Sequence, residues 1–263
     1  MKKVLVIGAH SYIGLKFKEY VLANDVNDLS VDMVSASDGA WRKVDFSGYD
    51  SVLHLSGIVH RKEKKNMEAL YNEVNHKLAV EIAVQAKKSN VRQFIFMSTA
   101  AVYGSYTGCI TKDTIPKPTT FYGKSKLAAE QDIIKLQDDE FKVAIVRPPM
   151  VYGEGCKGNY PRLVKLAKYT PIFPEFHNKR SVVNISCLCE SLYEFVLKED
   201  EGLFYPQDGV YMDTCAEIVK MRKKMGRNTI LLKGFGILIK LGIIYIESLN
   251  KLFDDLYYES NLL

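Results

Sequence analysis

The sequence predicts an α/β fold, a doubly wound parallel sheet with a small C-terminal lobe, on three observations. Apolar runs of strand length alternate with helix-length amphipathic segments through the first 150 residues, which is the pattern of βαβ units. Several of those runs are apolar without interruption, as strands covered on both faces are. The texture then changes after Pro148-Pro149, where elements shorten and loop residues, aromatics and prolines accumulate up to Pro174.

In chain order, the expected strands are Lys3 to Ile7, Val31 to Ser35, Ser51 to Leu55, Gln93 to Ser98 and Val143 to Arg147. Helical periodicity marks Ile13 to Ala23, Tyr71 to Lys88 and Tyr122 to Gln137 between them, then Cys187 to Lys198 and Asp213 to Met225. A last apolar helix, Phe235 to Phe253, is expected to be buried. Lys240 interrupts its apolar core, which falls short of the ~18 apolar residues a membrane span needs. At the N-terminus the apolar run Val4 to Ile7 ends at Gly8, too short for a secretory h-region of ~7 to 15 residues. No repeat or low-complexity linker is present. Asn261-Leu262-Leu263 carries no helix-stop signal, so the natural protein is expected to run further.

Composition excludes several classes. At 263 residues the chain can bury a substantial core, and 47% hydrophobic with 25% charged residues is an ordinary globular balance. Lys plus Arg number 36 against 31 Asp plus Glu. That excess suits a phosphorylated small molecule and falls short of a nucleic-acid footprint. The densest basic run, Arg61-Lys62-Glu63-Lys64-Lys65, is broken by a glutamate and reads as a solvated loop or helix start. Five cysteines without a CxxC pair make neither a disulfide framework nor a metal site, and fit a reducing cytoplasm.

The first strand runs through Gly8-Ala9-His10-Ser11-Tyr12-Ile13-Gly14 directly into a helix. Gly8 permits the tight turn, Gly14 lets helix and strand pack closely, and the helix N-terminus offers N–H groups to a pyrophosphate. Ser11 stands where a middle glycine is usual; it narrows the approach but brings a hydroxyl. The second strand ends at Ser35 instead of the acidic residue that binds adenosine ribose hydroxyls, so NAD and NADP both stay open. Asp45-Phe46 is a candidate adenine contact.

Tyr122 and Lys126 lie four residues apart, on one face of a helix. A tyrosine titrates near ~10, and an adjacent ammonium favours its phenolate, which makes a general acid/base with its activator. Upstream, the buried strand Phe94 to Met97 ends in Ser98-Thr99-Ala100-Ala101-Val102-Tyr103-Gly104, placing hydroxyls where open α/β sheets bind ligands.

These segments, in this order over nearly the whole chain, resemble the extended short-chain dehydrogenase/reductase family, in particular its nucleotide-sugar epimerases and dehydratases. His54-Leu55-Ser56-Gly57, Asn75 and Arg147-Pro148-Pro149-Met150-Val151-Tyr152-Gly153 strengthen the likeness. The resemblance implies a Rossmann-type NAD(P)-binding domain over residues 1–152, with 184–205 returning to it. Residues 153–183 and 206–263 would form the substrate lobe. Thr99 would hydrogen-bond the reacting hydroxyl, Tyr122 act as acid/base, and Lys126 hold the nicotinamide ribose. Leu55, Ser56, Gly57, Asn75, Ser98 and Pro148 would line the cofactor. Asn159, Phe173 and Arg180 stand where the family binds its nucleotide diphosphate, which is expected to be UDP-linked, and Arg180 offers a bidentate fork to phosphate. His60 is read as facing the sugar; His10, His76 and His177 are left structural. A homodimer is expected through the helices bearing Tyr122 and Asn75, on the apolar face Leu78, Ile82 and Ala86.

Ala100-Ala101 occupies the place where dehydratases of the family carry an acidic pair, which disfavours 4,6-dehydration. Transient oxidation at C4 with return of the hydride, a 4-epimerisation in surface polysaccharide precursor synthesis, is the leading expectation. Reduction of a 4-keto nucleotide sugar by NADPH uses the same residues and suits Ser35. A non-catalytic nucleotide-binding regulator is disfavoured, because Tyr122 and Lys126 are both present.

Overall fold

The computed structural model describes residues 1–24, 28–59, 63–234 and 254–262. The expected helix at Phe235 to Phe253 and the candidate His60 lie outside the described residues. In order the regular elements are β1 (Lys2–Ile7), α1 (Tyr12–Ala23), β2 (Leu29–Val34), β3 (Ser51–His54), α2 (Glu68–Tyr71), α3 (Leu78–Lys88), β4 (Gln93–Met97), β5 (Gly108–Ile110) and α4 (Phe121–Ile133). They continue as β6 (Lys142–Val146), β7 (Met150–Tyr152), α5 (Asn159–Tyr169), β8 (Ile172–Pro174), β9 (Val182–Asn184) and α6 (Ile185–Lys198). The last are β10 (Gly202–Phe204), α7 (Thr214–Lys224), β11 (Ile230–Leu232) and β12 (Leu256–Tyr258). A π-helical turn, Asn72–Lys77, joins α2 to α3.

Six strands form the main sheet in the order β10-β6-β4-β3-β1-β2, every pair parallel. The fold is the predicted doubly wound, Rossmann-type sheet. Alternate strand residues point to opposite faces, and each face has its own core. Leu5, Ile7, Val52, Phe94, Phe96, Val143 and Ile145 pack with Ile82 and Ala86 of α3 and Ala129 and Ile133 of α4. On the other face Val4, Val6, Leu53, Ile95, Ala144 and Val146 meet Phe17 and Val21 of α1 and Leu188, Leu192 and Val196 of α6. Because both faces are covered, the strands read as apolar runs.

Helix starts follow from side-chain caps that satisfy first-turn N–H groups. Ser11, Thr120, Asn184 and Asp213 accept from Gly14, Gly123, Ser186 and Ala216 respectively. The second lobe packs α5 on α7 through Leu163, Ala167, Phe173, Ile218 and Met221. Arg222, 4% exposed, donates to Ala167 O at 2.7 Å and to Asn228 O, tying the two helices together. At the end of the described chain β12 pairs with β5.

Two expectations are corrected. Leu78, Ile82 and Ala86 were read as a face for a partner, but Ile82 and Ala86 are fully buried in this chain's own core and Leu78 packs against it. Periodicity reports that a helix has an apolar face, not what covers it. Phe173 was read as a substrate contact; its side chain is 3% exposed in the core of the second lobe, where an aromatic follows from the need to fill the space between α5 and α7.

Gly123 brings α4 against the 3-10 turn Ala100–Tyr103: a Cβ there would stand 2.6 Å from Ala101 O. Gly123→Ala must push the helix off that backbone, and its urea midpoint should fall by an amount equivalent to roughly 1–3 kcal/mol. An unchanged midpoint would show that the contact yields without strain.

Candidate active site

The sheet order reverses between β1 and β3, and ligands of open α/β sheets bind beyond the strand ends at such a switch point. Both loops there are built for close approach. Gly8 takes φ +130°, and a Cβ on it would lie 3.2 Å from Ser56 N. Gly14 would meet Ser11 Oγ at 2.9 Å and Leu55 at 3.2 Å. Ser11 Oγ accepts from Gly14 N at 2.9 Å. The remaining first-turn N–H groups, of Tyr12 and Ile13, are what a helix N-terminus offers an anion. The Tyr12 hydroxyl donates to Glu154 O at 2.9 Å, linking the glycine turn to the loop that enters α5.

At the end of β2, Ser35 and Ser37 hydroxyls stand 3.0 Å apart. Asp38 is held below its ordinary range by accepting from Ala40 N, and Arg42 pairs with Glu81 while lying over Trp41. The exposed Asp45 carboxylate accepts from Ser47 N at 2.9 Å, which lowers its pKa. Phe46 needs a correction: its side chain is wholly buried in the main core, so only its backbone is available to a ligand. Asp45 caps the 3-10 turn Phe46–Gly48, whose first side chain packs into the core.

Beyond β3, Asn75 grips the cofactor-side loop. Buried in the π-helical turn, it accepts from Ile58 N at 2.7 Å and donates to Ile58 O at 3.1 Å and to Ser125 Oγ at 3.3 Å. A Cβ on Gly57 would fill the space between Asn75 Oδ1 and Lys126 Nζ, 3.0 and 3.5 Å away. His54, behind this loop, is stacked between Phe94 and Phe96. Burial pushes its imidazole down to about 3, so it is neutral and structural.

α4 brings Tyr122, Lys126 and Glu130 onto one face at successive intervals of four residues. Thr99, at the end of β4, accepts from Ala101 N at 3.1 Å and hydrogen-bonds the Tyr122 phenol. Burial raises that phenol to about 12, against the pull of Thr99. The Lys126 ammonium, 3% exposed, donates to Met97 O at 2.9 Å and lies 4.5 Å from the Phe96 ring centre. Desolvation brings it down to about 8, and Glu130 opposes the shift. Glu130 in turn accepts from Ser98 Oγ and from Arg147 Nη2 at 2.5 Å. Arg147 Nη1 reaches Tyr103 OH at 2.7 Å, and Tyr258 OH donates to Arg147 O at 2.8 Å. Pro148 is buried beside this network, and its carbonyl accepts from Ala100 N.

Ser98 therefore serves the buried network, while Thr99 meets the Tyr122 phenol and Lys126, one turn further along α4, faces Met97 O and Gly57; the expected pull of the ammonium on the phenol is outweighed by burial. In the second lobe Asn159 is exposed at the start of α5. Arg180 donates from Nη1 to Asp254 O at 2.8 Å, with Asp254 and Asp255 nearby. Glu130 and Tyr258 were not singled out from the sequence, and Arg147 only as part of the resemblance. The interval of four from Lys126 was the one signal that could have found Glu130. Among the described residues no group of three His, Cys, Asp or Glu could hold a metal ion, and no helix is long and apolar enough to cross a membrane.

The cradle of Gly8, Gly57, Asn75 and Lys126 fits a dinucleotide, and comparisons with known proteins agree. A family model described as "NAD dependent epimerase/dehydratase family" matches residues 4–186. UDP-glucose 4-epimerase of Vibrio cholerae is 32% identical over 83% of this chain and 74% of its own length. N-acetyl-alpha-D-glucosaminyl-diphospho-ditrans,octacis-undecaprenol 4-epimerase of Escherichia coli O157:H7 is 27% identical over 62% of this chain and 53% of its own. In fold, the chain is similar to dTDP-4-dehydrorhamnose reductase of Bacillus anthracis in complex with NADP, with a TM-score of 0.73, 17% identity, and coverage of 88% of this chain and 84% of the other.

Lys126 makes stability depend on pH with a definite sign. The unfolded chain keeps this proton up to 10.5, the folded one only to about 8. Below about 8 the cost of burying the ammonium is fully present; between about 8 and 10.5 the unfolded state binds more protons, so this contribution to stability rises with pH. Lys126→Met should thus be more stable than the parent at pH 7, by roughly 1–3 kcal/mol, and the gap should close between pH 8 and 10. Urea titrations of both proteins across that range check this; a gap independent of pH would assign the difference to packing.

Proposed function

The chain belongs to the NAD dependent epimerase/dehydratase family, and on that membership and the crevice geometry we propose that it is an NAD(P)-dependent nucleotide-sugar 4-epimerase. The observation that carries the reading is the meeting of Thr99 and Tyr122, with Lys126 one turn further along α4, beside Ala100-Ala101. A hydroxyl, a phenol and an ammonium can move one proton at one sugar oxygen. Without a carboxylate pair beside Thr99, nothing there serves an elimination.

Gly8, Ser11, Tyr12, Ile13 and Gly14 hold the cofactor pyrophosphate in this proposal. Ser35, Asp45 and the Phe46 backbone face the adenosine. Leu55, Ser56, Gly57, Asn75 and Pro148 enclose the nicotinamide half, with Ser98 supporting it through Glu130. When bound, an oxidised nicotinamide supplies the two-electron exchange at C4 and a positive charge that favours the Tyr122 phenolate. Tyr122 takes the C4 hydroxyl proton and later returns it. Thr99 hydrogen-bonds the same oxygen and fixes its direction. Lys126 anchors the ribose and supplies positive charge beneath the phenol. Asn159 and Arg180 take the nucleotide diphosphate, expected to be UDP. Residues 1–152 with 184–205 form the cofactor unit, and the rest the substrate lobe.

A second reading, reduction of a 4-keto nucleotide sugar by NADPH, is favoured by two particulars. Ser35 places no carboxylate against a 2′-phosphate, and a structure of similar fold, dTDP-4-dehydrorhamnose reductase of Bacillus anthracis, is in complex with NADP. A homodimer in the cytoplasm through the helices bearing Tyr122 and Asn75 also belongs to the proposal, with Leu78, Ile82 and Ala86 replaced as its contact by residues that are not in the core. The groove between α2 and α4, lined by Ala69, Asn72, Phe121 and Ala128 with the exposed Leu70 alongside, would carry the contact.

Incubation with UDP-hexoses, UDP-N-acetylhexosamines and a polyprenyl-diphosphate-linked N-acetylhexosamine, followed by NMR of the anomeric protons, should show C4 epimers with no net consumption of cofactor. Stoichiometric oxidation of NADPH only with a 4-keto sugar would instead establish the reductase. Tyr122→Phe should lower turnover by at least about a hundredfold and leave NAD(H) binding intact by calorimetry; a fully active Tyr122→Phe would remove the mechanism.

A further inference from the structure

The glutamate that breaks the basic run after β3 has no place in the chemistry above, yet its carboxylate lies against the helix that carries it. Glu63 Oε2 accepts from Phe121 N at 2.9 Å and Glu63 Oε1 from Tyr122 N at 2.9 Å. The donors are the first two N–H groups of α4, which have no partner within the helix. Gly123 N donates to Thr120 Oγ1 at 3.0 Å and Lys124 N to Thr120 O at 2.9 Å. Thr120 is thus a local cap, and the two amides it does not serve are taken by a residue almost sixty positions away in the chain. A carboxylate at this pole also complements the helix dipole, and bonds from N–H to an ionised oxygen are stronger than neutral ones.

From this geometry we propose that Glu63 is a positioning residue for Tyr122, an inference that rests on Tyr122 being the acid/base of the proposed reaction. Its two oxygens both accept from backbone amides, so it acts on the chemistry through the helix. The first turn of α4 is held between two supports. On one side Gly123 abuts Ala101 O, on the short turn that Thr99 begins; on the other stands the Glu63 carboxylate. Five residues before Glu63 in the sequence, the N–H and C=O of Ile58 are both engaged by Asn75, and Asn75 also reaches Ser125 Oγ on α4. The cofactor-side loop is therefore joined to α4 at Ser125 and again at Phe121 and Tyr122. Removing the second junction frees two amides of the turn from which the phenol projects, and the hydroxyl shifts relative to Thr99. A displacement of that kind lowers the rate of proton transfer and leaves binding of the nucleotide sugar unchanged.

Glu63→Ala and Glu63→Gln test this with two readouts. Hydrogen exchange by mass spectrometry over peptides covering Phe121 and Tyr122 needs no turnover; exchange should quicken in both variants, and more in Ala, since the Gln amide retains one acceptor oxygen. In steady-state assays kcat should fall roughly tenfold to a hundredfold in Glu63→Ala, less in Glu63→Gln, with KM for the nucleotide sugar held within about twofold. Unchanged exchange, an unchanged kcat despite lost protection, or a loss confined to KM would each overturn the proposal. Should Tyr122→Phe stay active, the acid/base assignment fails and the positioning role fails with it, while the exchange result still decides whether Glu63 holds the turn.

Discussion

A carboxylate and a guanidinium buried side by side cost more to desolvate than their attraction returns unless each finds further partners. Glu130 and Arg147, 3% and 6% exposed, meet that condition. Glu130 accepts from Arg147 and from Ser98, and Arg147 donates onward to Tyr103, whose hydroxyl donates to Tyr205. The bonds join α4 to the ends of β4 and β6. Those two strand ends carry Thr99 and Pro148, so the relation between the helix that bears Tyr122 and the loops that face it is set at this pair. Tyr258 extends the same network to the end of the described chain by donating to the Arg147 carbonyl.

The state of Lys126 depends on the same pair. Its ammonium sits one helical turn from Glu130, under a carbonyl and an aromatic ring. Burial pulls its proton off more readily, and the Glu130 carboxylate opposes this. Glu130 is itself held by Arg147 and Ser98, and the Lys126 ammonium donates to Met97 O. The lysine is less stable for being there, as functional groups in dry sites commonly are.

How much of this was legible before any coordinates depends on the range over which each constraint acts. Gly8 to Gly14 and the pair Tyr122 and Lys126 are local patterns, in which the spacing along the chain is itself the geometry, and both emerge at the crevice. Five of the six main-sheet strands were legible for the same reason, since burial on both faces is written as uninterrupted apolar runs; the edge strand β10, three half-buried residues, was not. Glu63 and Glu130 act through partners far along the chain, and nothing near them marks which polar residues will be buried; Asn75 and Arg147 were legible as parts of the resemblance, but not the bonds they make. Phe46 and Phe173 show the converse: each lies in a segment of the expected function, but side-chain direction followed the nearest core. The short strands β5, β7, β8, β9, β11 and β12 span three residues apiece, fewer than periodicity can resolve.

The choice between epimerase and reductase is not made at Tyr122. With the phenol raised to about 12 and Lys126 lowered to about 8, the crevice at neutral pH holds a protonated phenol and a buried ammonium. Removing a substrate proton and delivering one to a ketone ask for the same three side chains at the same oxygen. They differ in the charge that must accompany the ligand, and in whether the ligand leaves after one transfer. At the other end of the crevice Ser11 caps the glycine turn from within, and the one carboxylate of the Ser35 to Asp38 loop is already engaged by Ala40 N. The proton-transfer residues Thr99, Tyr122 and Lys126 are compatible with either outcome, so the two proposed reactions differ in what is asked of the dinucleotide and not of these side chains.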